Sequence, residues 1–245
     1  MNVCVDIGNT RIKCGIFSGY ELLRVAYFER SERKVFKDWL TNHLPGNIIL
    51  SNVGAPLEAE VRALMRGKTD FFLDLNTHTP LPITNTYATP ESLGKDRLAA
   101  VVGAYTLYPG QASLVVDAGT CITYDLIDDR GTFLGGNIAP GLYMRLQAMQ
   151  QMTAGLPLAD LVWPEHWLGD STEHALQGGA LWGAIFELEG YLRKSRQQFP
   201  IINVLLTGGD SHFLAKKWKS RIFVHSNLVL HGLNKILHYN VERLE

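Results

Sequence analysis

Two apolar stretches of this chain run straight into the same kind of turn. Asn2–Val5 leads into Asp6-Ile7-Gly8-Asn9-Thr10, and Leu114–Val116 leads into Asp117-Ala118-Gly119-Thr120. Glycine permits positive φ and lets backbone approach a ligand closely. Amides and hydroxyls of Asn9, Thr10, Thr120 and Cys121 can then cradle phosphate oxygens. The Asp6 and Asp117 carboxylates would repel phosphate, but they suit a hard cation that bridges to it, Mg²⁺ or a monovalent ion. Either turn alone reads as an ordinary Asx-type hairpin. Asp117 follows Asp6 by 111 positions and Gly119 follows Gly8 by the same interval. Two such turns in equivalent places point to a pair of phosphate-binding hairpins.

Two further segments carry chemistry. Thr207-Gly208-Gly209-Asp210 follows the apolar run Val204–Leu206. A double glycine between strand and helix gives close backbone approach and a helix N-terminus for an anion or an adenosine group; alone it is a plain βα turn. Gly94-Lys95-Asp96-Arg97 precedes Leu98–Val102, near a helix start that Thr89-Pro90-Glu91 is expected to open. A lone Asp-Arg pair there is a helix-end charge pair worth a few tenths of a kcal/mol. Its functional reading is an Asp96 that accepts a hydroxyl proton and an Arg97 that binds an anionic group.

These turns need elements to hold them. Strands are expected over 2–5, 12–17 and 22–28 as a meander, then a helix over 31–44, a strand over 48–50, a helix over 56–66 and a strand over 71–75. From residue 114 the order restarts: strands at 114–116, 122–127 and near 132–136, helices at 141–153 and 172–197, a strand at 202–206, and a terminal strand–helix pair. The chain reads as a duplication of βββαβα halves, 1–110 and 111–245, around a nucleotide cleft.

Composition narrows the class. Of 245 residues, 46% are hydrophobic and 19% charged, and 23 basic against 24 acidic side chains leave a net charge of -1, which excludes a disordered chain. No Lys/Arg cluster offers a nucleic-acid footprint, so no nucleic-acid partner is expected. The charge-free run 98–116 is broken by Pro109-Gly110, and no membrane span is expected. Asp6 interrupts the first apolar run, against a signal peptide. Three cysteines without a CxxC pair read as reduced thiols in a cytoplasmic protein. His231 and His238 read as packing residues rather than metal ligands.

Taken together and in order, the four segments closely resemble those of type III pantothenate kinases, over nearly the whole chain. The resemblance implies an α/β, actin-like ATPase (ribonuclease H-like) fold, a homodimer, and transfer of the ATP γ-phosphate to pantothenate, the first step of coenzyme A synthesis. It also implies Mg²⁺ and a monovalent cation, K⁺ or NH₄⁺. By the same resemblance, Asp6, Ile7, Gly8, Asn9, Thr10, Arg11, Ile12 and Lys13 form the first ATP segment. Thr120 and the Gly208-Gly209 turn are the further nucleotide contacts, and Asp117 is the K⁺ ligand. Asp96 is the catalytic base, and Tyr87, Gly94, Lys95, Asp96, Arg97 and Thr172 meet pantothenate. Thr172 also suits the N-cap of the helix that follows it. Lys95 and Cys121 depart from residues frequent in the family. Two alternatives remain from the residues alone: another small-molecule kinase on this fold, or an ATP-binding regulatory protein.

Overall fold

The first strand, Asn2–Ile7, is buried at nearly all positions, as a central strand is, while the third, Glu21–Glu29, at the sheet edge is mostly exposed or half-buried. In the computed structural model, which describes residues 1–43, 46–53 and 59–244, β1 (Asn2–Ile7), β2 (Arg11–Ser18) and β3 (Glu21–Glu29) form an antiparallel meander. Val3, Val5 and Ile7 on β1, with Ile12 and Cys14 on β2, share one face. Helix α1 (Arg33–His43) places Phe36 and Leu40 on that face, and α2 (Ala59–Lys68) adds Val61 and Met65. Strands β4 (Asn47–Asn52) and β5 (Phe71–Asp74) extend the sheet in parallel, giving the order β3-β2-β1-β4-β5. Positions 44 and 56–58 of the expected helices lie outside the described residues.

The expected helix start at Thr89 is instead a single 3₁₀ turn, Pro90–Ser92, that follows the two-residue strand β6 (Thr84–Asn85). Leu93 is extended there (ψ 128°), which ends the turn, and Gly94 caps α3 (Lys95–Leu107) by accepting the Leu98 N–H at 3.1 Å.

A second meander comprises β7 (Ser113–Ala118), β8 (Cys121–Ile127) and β9 (Thr132–Pro140), followed by α4 (Leu142–Gln151) and α5 (Thr172–Gln198). After these come β10 (Asn203–Thr207), the short α6 (Ser211–Ala215), β11 (Phe223–Val224) and α7 (Leu228–Val241). Its strand order, β11-β10-β7-β8-β9, repeats that of the first sheet, with β7 antiparallel to β8 and parallel to β10 as β1 is to β2 and β4. Asp6 pairs with Lys13 and Asp117 with Thr123, so each Asp-x-Gly turn caps the equivalent hairpin. β6 adds to the edge through Thr84–Thr132 and Asn85–Phe133 pairs.

The chain divides into two compact units: Met1–Gly110 with Asp129–Leu134 and Asn227–Glu245, and Gln111–Asp128 with Gly135–Ser226. In the first, α7 packs on α3 at Gly103 and Gly232. A Cβ on Gly103 would stand 2.5 Å from the Leu228 carbonyl oxygen, and one on Gly232 would overlap the Ala99 carbonyl. Asn234, buried, donates to Gly19 O (2.9 Å) and accepts from Asn2 Nδ2 (2.9 Å), which satisfies its amide. His238 stacks on Tyr20 at 4.7 Å, and His231 meets Phe17 edge-on at 5.5 Å, so both are packing residues. In the second unit, α5 buries Leu181, Ala184, Ile185 and Leu188 among β7, β8 and β10 side chains. Each large buried aliphatic contributes about 1.5–3 kcal/mol. Among the described residues no helix is long and apolar enough to cross a membrane.

Candidate active site

The first hairpin is closed by Gly8 N–H donating to Arg11 O at 3.0 Å, and Arg30 Nη1 donates to Gly8 O at 2.8 Å. Asn9, Thr10 and Arg11 are exposed at its tip, and Lys13 sits over the Tyr27 ring at 5.5 Å. Ile7 and Ile12 are core residues, so they offer a ligand only their backbone. Asp6 accepts from Ser51 Oγ at 2.9 Å, which orients the carboxylate from the neighbouring strand. Ser51 and Arg30 lack any local signal: they reach the turn through strand pairing and from the end of β3.

In the same unit, Asp96 occupies the first turn of α3, where the helix dipole favours its negative charge. Its Oδ1 accepts the Arg97 backbone N–H at 2.8 Å, folding back over Gly94 so closely that a Cβ there would lie 2.5 Å away. Burial pushes the Asp96 pKa above the ordinary carboxylate value, against the lowering effect of the N–H bonds and the Arg97 charge. Arg97 is buried, with its guanidinium 5.6 Å from the centre of the Tyr87 ring. Tyr87 in turn stacks on buried Phe133 at 6.0 Å and 4°, and its N–H donates to Asn85 Oδ1 at 3.0 Å. Tyr87, Gly94, Asp96 and Arg97 thus form one connected group, with Phe133 beneath it as a support no local pattern announces. Burial and then the Arg62 charge hold the Lys95 ammonium below the usual lysine range.

In the second unit, Gly119 N–H donates to Cys121 O at 2.9 Å and closes the hairpin that carries Asp117 and exposed Thr120. Gly208 has φ +90° and sits against Ala118 O and Asp117 Oδ1 with no room for a Cβ. Asp210 N–H donates to Ala118 O at 3.0 Å, and Ser211 Oγ closes the turn onto Gly208 O at 2.7 Å. Gly208 is therefore a neighbour of Asp117, with Gly209 next to it and Thr120 at the tip of the hairpin that carries Asp117. A Cβ on Gly209 would meet nothing within 4 Å, and one on Gly119 only Cys121 O at 4.0 Å, so both leave open space for a ligand against bare backbone. Thr172 is exposed as the first residue of α5; the cap is its neighbour Ser171, whose Oγ accepts the His174 N–H at 3.2 Å.

The donor set fits hard cations in a limited way. No cluster of three or more His, Cys, Asp or Glu exists among the described residues. Asp6, held by Ser51 Oγ, and Asp117, near the open backbone of Gly119 and Gly209, each offer a single carboxylate, which suits an ion that takes most of its oxygens from a polyphosphate. Cys4 and Cys14 are fully buried, which pushes their thiols well above the ordinary value and leaves them inert.

A sequence model of the type III pantothenate kinase family matches residues 2–194. Type III pantothenate kinases of Phocaeicola vulgatus and Bacteroides fragilis are 42% and 41% identical, over 98% and 100% of this chain and 99% and 100% of theirs. That of Flavobacterium johnsoniae is 37% identical over 99% of both. Among solved structures, a Campylobacter jejuni protein described as a Baf family transcriptional activator aligns with TM-score 0.64 at 22% identity, covering 98% of this chain and 99% of that one. A Sinorhizobium meliloti protein described as a 2-dehydro-3-deoxygalactonokinase gives TM-score 0.58 at 14% identity, covering 98% and 99%. At such identities these two likenesses speak to the fold alone, and with the repeated strand order they make it the actin-like ATPase fold. The family match and the full-length relatives go further: this chain belongs to the type III pantothenate kinase family.

Proposed function

We propose that the protein transfers the γ-phosphoryl group of ATP to the primary hydroxyl of pantothenate, the first step of coenzyme A synthesis. Family membership supplies the reaction, and the seat of Asp96 is the observation that carries the mechanism. A bond forms between the hydroxyl oxygen and the γ-phosphorus as the β–γ bridging bond breaks, and the hydroxyl proton passes to Asp96. Phosphoryl transfer has a loose transition state, so positioning and charge neutralisation supply most of the rate. The Asp6–Lys13 hairpin and Thr120 hold phosphate oxygens through amides and hydroxyls, and Gly208-Gly209 offers bare backbone to the nucleoside side. Mg²⁺, when bound, spreads the charge of the phosphates. Arg97, backed by Tyr87, holds the pantothenate carboxylate, which sets the hydroxyl against Asp96.

Asp117 is the proposed ligand of a K⁺ or NH₄⁺ ion that offsets charge beside the nucleotide. Release of ADP should require pantothenate and run faster in K⁺ than in Na⁺. Asp117→Asn should bring the K⁺ rate down to the Na⁺ rate. ADP release indifferent to pantothenate in either salt would sink the assignment, and an unchanged K⁺ advantage in Asp117→Asn would remove the ion from that residue.

A homodimer in the cytoplasm completes the reading, with Thr172 contacting pantothenate near the interface. Its support is the family resemblance together with exposed Trp167 (60%) and Phe186 (49%), which meet edge-on at 6.5 Å. Sedimentation should give a dimer at micromolar concentration; a monomer would remove both the dimer and that role of Thr172.

A further inference from the structure

The tip of the second hairpin is held from outside its own strands. Gly141 N–H donates to Thr120 O at 3.1 Å, and the Gly141 Cα lies so near that a Cβ would overlap both Gly119 O and Thr120 O. The hairpin therefore rests on the Pro140-Gly141 corner, where β9 ends and α4 begins. Arg145, one turn into α4, fastens that corner. Its N–H donates to Gly141 O at 3.0 Å, its Nε to Pro140 O at 2.9 Å, and its Nη2 to Glu187 Oε2 at 2.6 Å. Glu187 comes from α5, whose neighbouring Ala184, Ile185 and Leu188 are in the core, so the far end of this link is anchored.

We propose that Arg145 and Glu187 are positioning residues for the phosphate hairpin, fixing Thr120 through the Pro140-Gly141 corner; this rests on the reading of Thr120 as a nucleotide contact. Three features separate the pair from an ordinary surface bridge. The side chains are 18% and 28% exposed, so water competes less than at an open surface. Arginine is the residue whose planar fork can hold a backbone carbonyl and a carboxylate in two fixed directions at once, whereas a lysine ammonium is a single point. Beneath the pair, Tyr124 is buried and stacks on Tyr191 at 4.2 Å. Burial, followed by the Glu187 charge, pushes the Tyr124 hydroxyl well above its ordinary value, so that hydroxyl stays neutral and Arg145 is the charged partner of Glu187.

The test compares Arg145→Met, Arg145→Lys, the double variant Arg145→Met/Glu187→Met, and Thr120→Ala. The readouts are KM for ATP, KM for pantothenate and the melting temperature without ligand. Arg145→Met should raise the ATP KM about tenfold, the equivalent of one charge-assisted hydrogen bond, and leave the pantothenate KM unchanged. Arg145→Lys should recover part of that loss. The double variant, relieved of the orphaned carboxylate, should regain melting temperature but not ATP affinity, because Pro140 O is still unheld. An unchanged ATP KM in the folded double variant, with a raised one in Thr120→Ala, would make the pair a structural tie and overturn the proposal alone. If Thr120→Ala also leaves the ATP KM unchanged, the reading of the hairpin fails and the proposal falls with it.

Discussion

Asp96→Asn should lower kcat by about 10²–10⁴-fold and raise the melting temperature in the same protein. The first effect follows from the loss of a proton acceptor aimed at the substrate hydroxyl. The carboxamide oxygen can still accept the Arg97 N–H, so the ATP KM should barely move. The second effect follows from burial. Folding raises the Asp96 pKa, chiefly by desolvation, so the folded chain binds this proton more tightly than the unfolded chain does. The cost of holding the carboxylate ionised is therefore absent below the unfolded pKa and complete above the folded one; the contribution of this group to stability grows as pH falls through the folded pKa. A neutral asparagine escapes that cost at neutral pH, and each recovered kcal/mol is worth about 2–4 °C in a chain of this size.

The same shift places the acid limb of kcat/KM above the ordinary carboxylate value, because activity is lost as Asp96 takes up a proton. Asp96→Asn should erase that limb. Near-wild-type turnover in this variant would dismiss Asp96 as the base. A variant that is inactive but no more stable would show that the carboxylate is solvated and its pKa ordinary.

Gly232→Ala should produce the largest loss of stability. α3 and α7 cross at Gly103 and Gly232, and a Cβ on Gly232 would lie on the Ala99 carbonyl and 2.9 Å from Gly103 N. The obstacle is backbone rather than a flexible side-chain end, so the helices must separate. Overpacking of this kind costs about 1–3 kcal/mol and occasionally more. A cost of about 3 kcal/mol lowers the melting temperature by roughly 6–12 °C. Because α3 begins at Lys95, separation also displaces Asp96 and Arg97, and the pantothenate KM should rise with it. Gly67→Ala, with nothing within 4 Å of the added methyl, is the control and should be neutral or slightly stabilising. A Gly232→Ala variant that melts with the wild type would show that the helices have slack at this crossing.

Much of this was legible in the chain because it is local. An aspartate, a glycine and a small polar residue after an apolar run announce each hairpin, and apolar spacing announces α1. What failed to show has a physical reason in each case. β6 has two residues and no periodicity, and it exists only because Thr132 and Phe133 pair with it. The expected helix start at Thr89 gave way to a 3₁₀ turn because Leu93 is extended and Gly94 caps α3 instead. Thr172 yielded the cap to Ser171, whose oxygen reaches the N–H three residues on. The last helix, α7, joins the first unit through Asn2, Gly19 and α3, contacts more than a hundred residues away in sequence. Ser51, Phe133 and Arg145 support site residues through strand pairing, stacking and a helix-to-helix ion pair, and no short pattern encodes such partners. The raised Asp96 pKa depends on burial that the Asp-Arg dipeptide does not reveal.

The most direct test of the central claim is to follow the phosphorus. The protein, Mg-ATP and pantothenate in K⁺ buffer should give, by ³¹P NMR, loss of the γ-phosphate signal matched by a new phosphomonoester on the primary hydroxyl of pantothenate, and Asp96→Asn should slow both together. ATP consumed with inorganic phosphate as the only new signal would contradict the account, leaving an ATPase whose acceptor is not pantothenate.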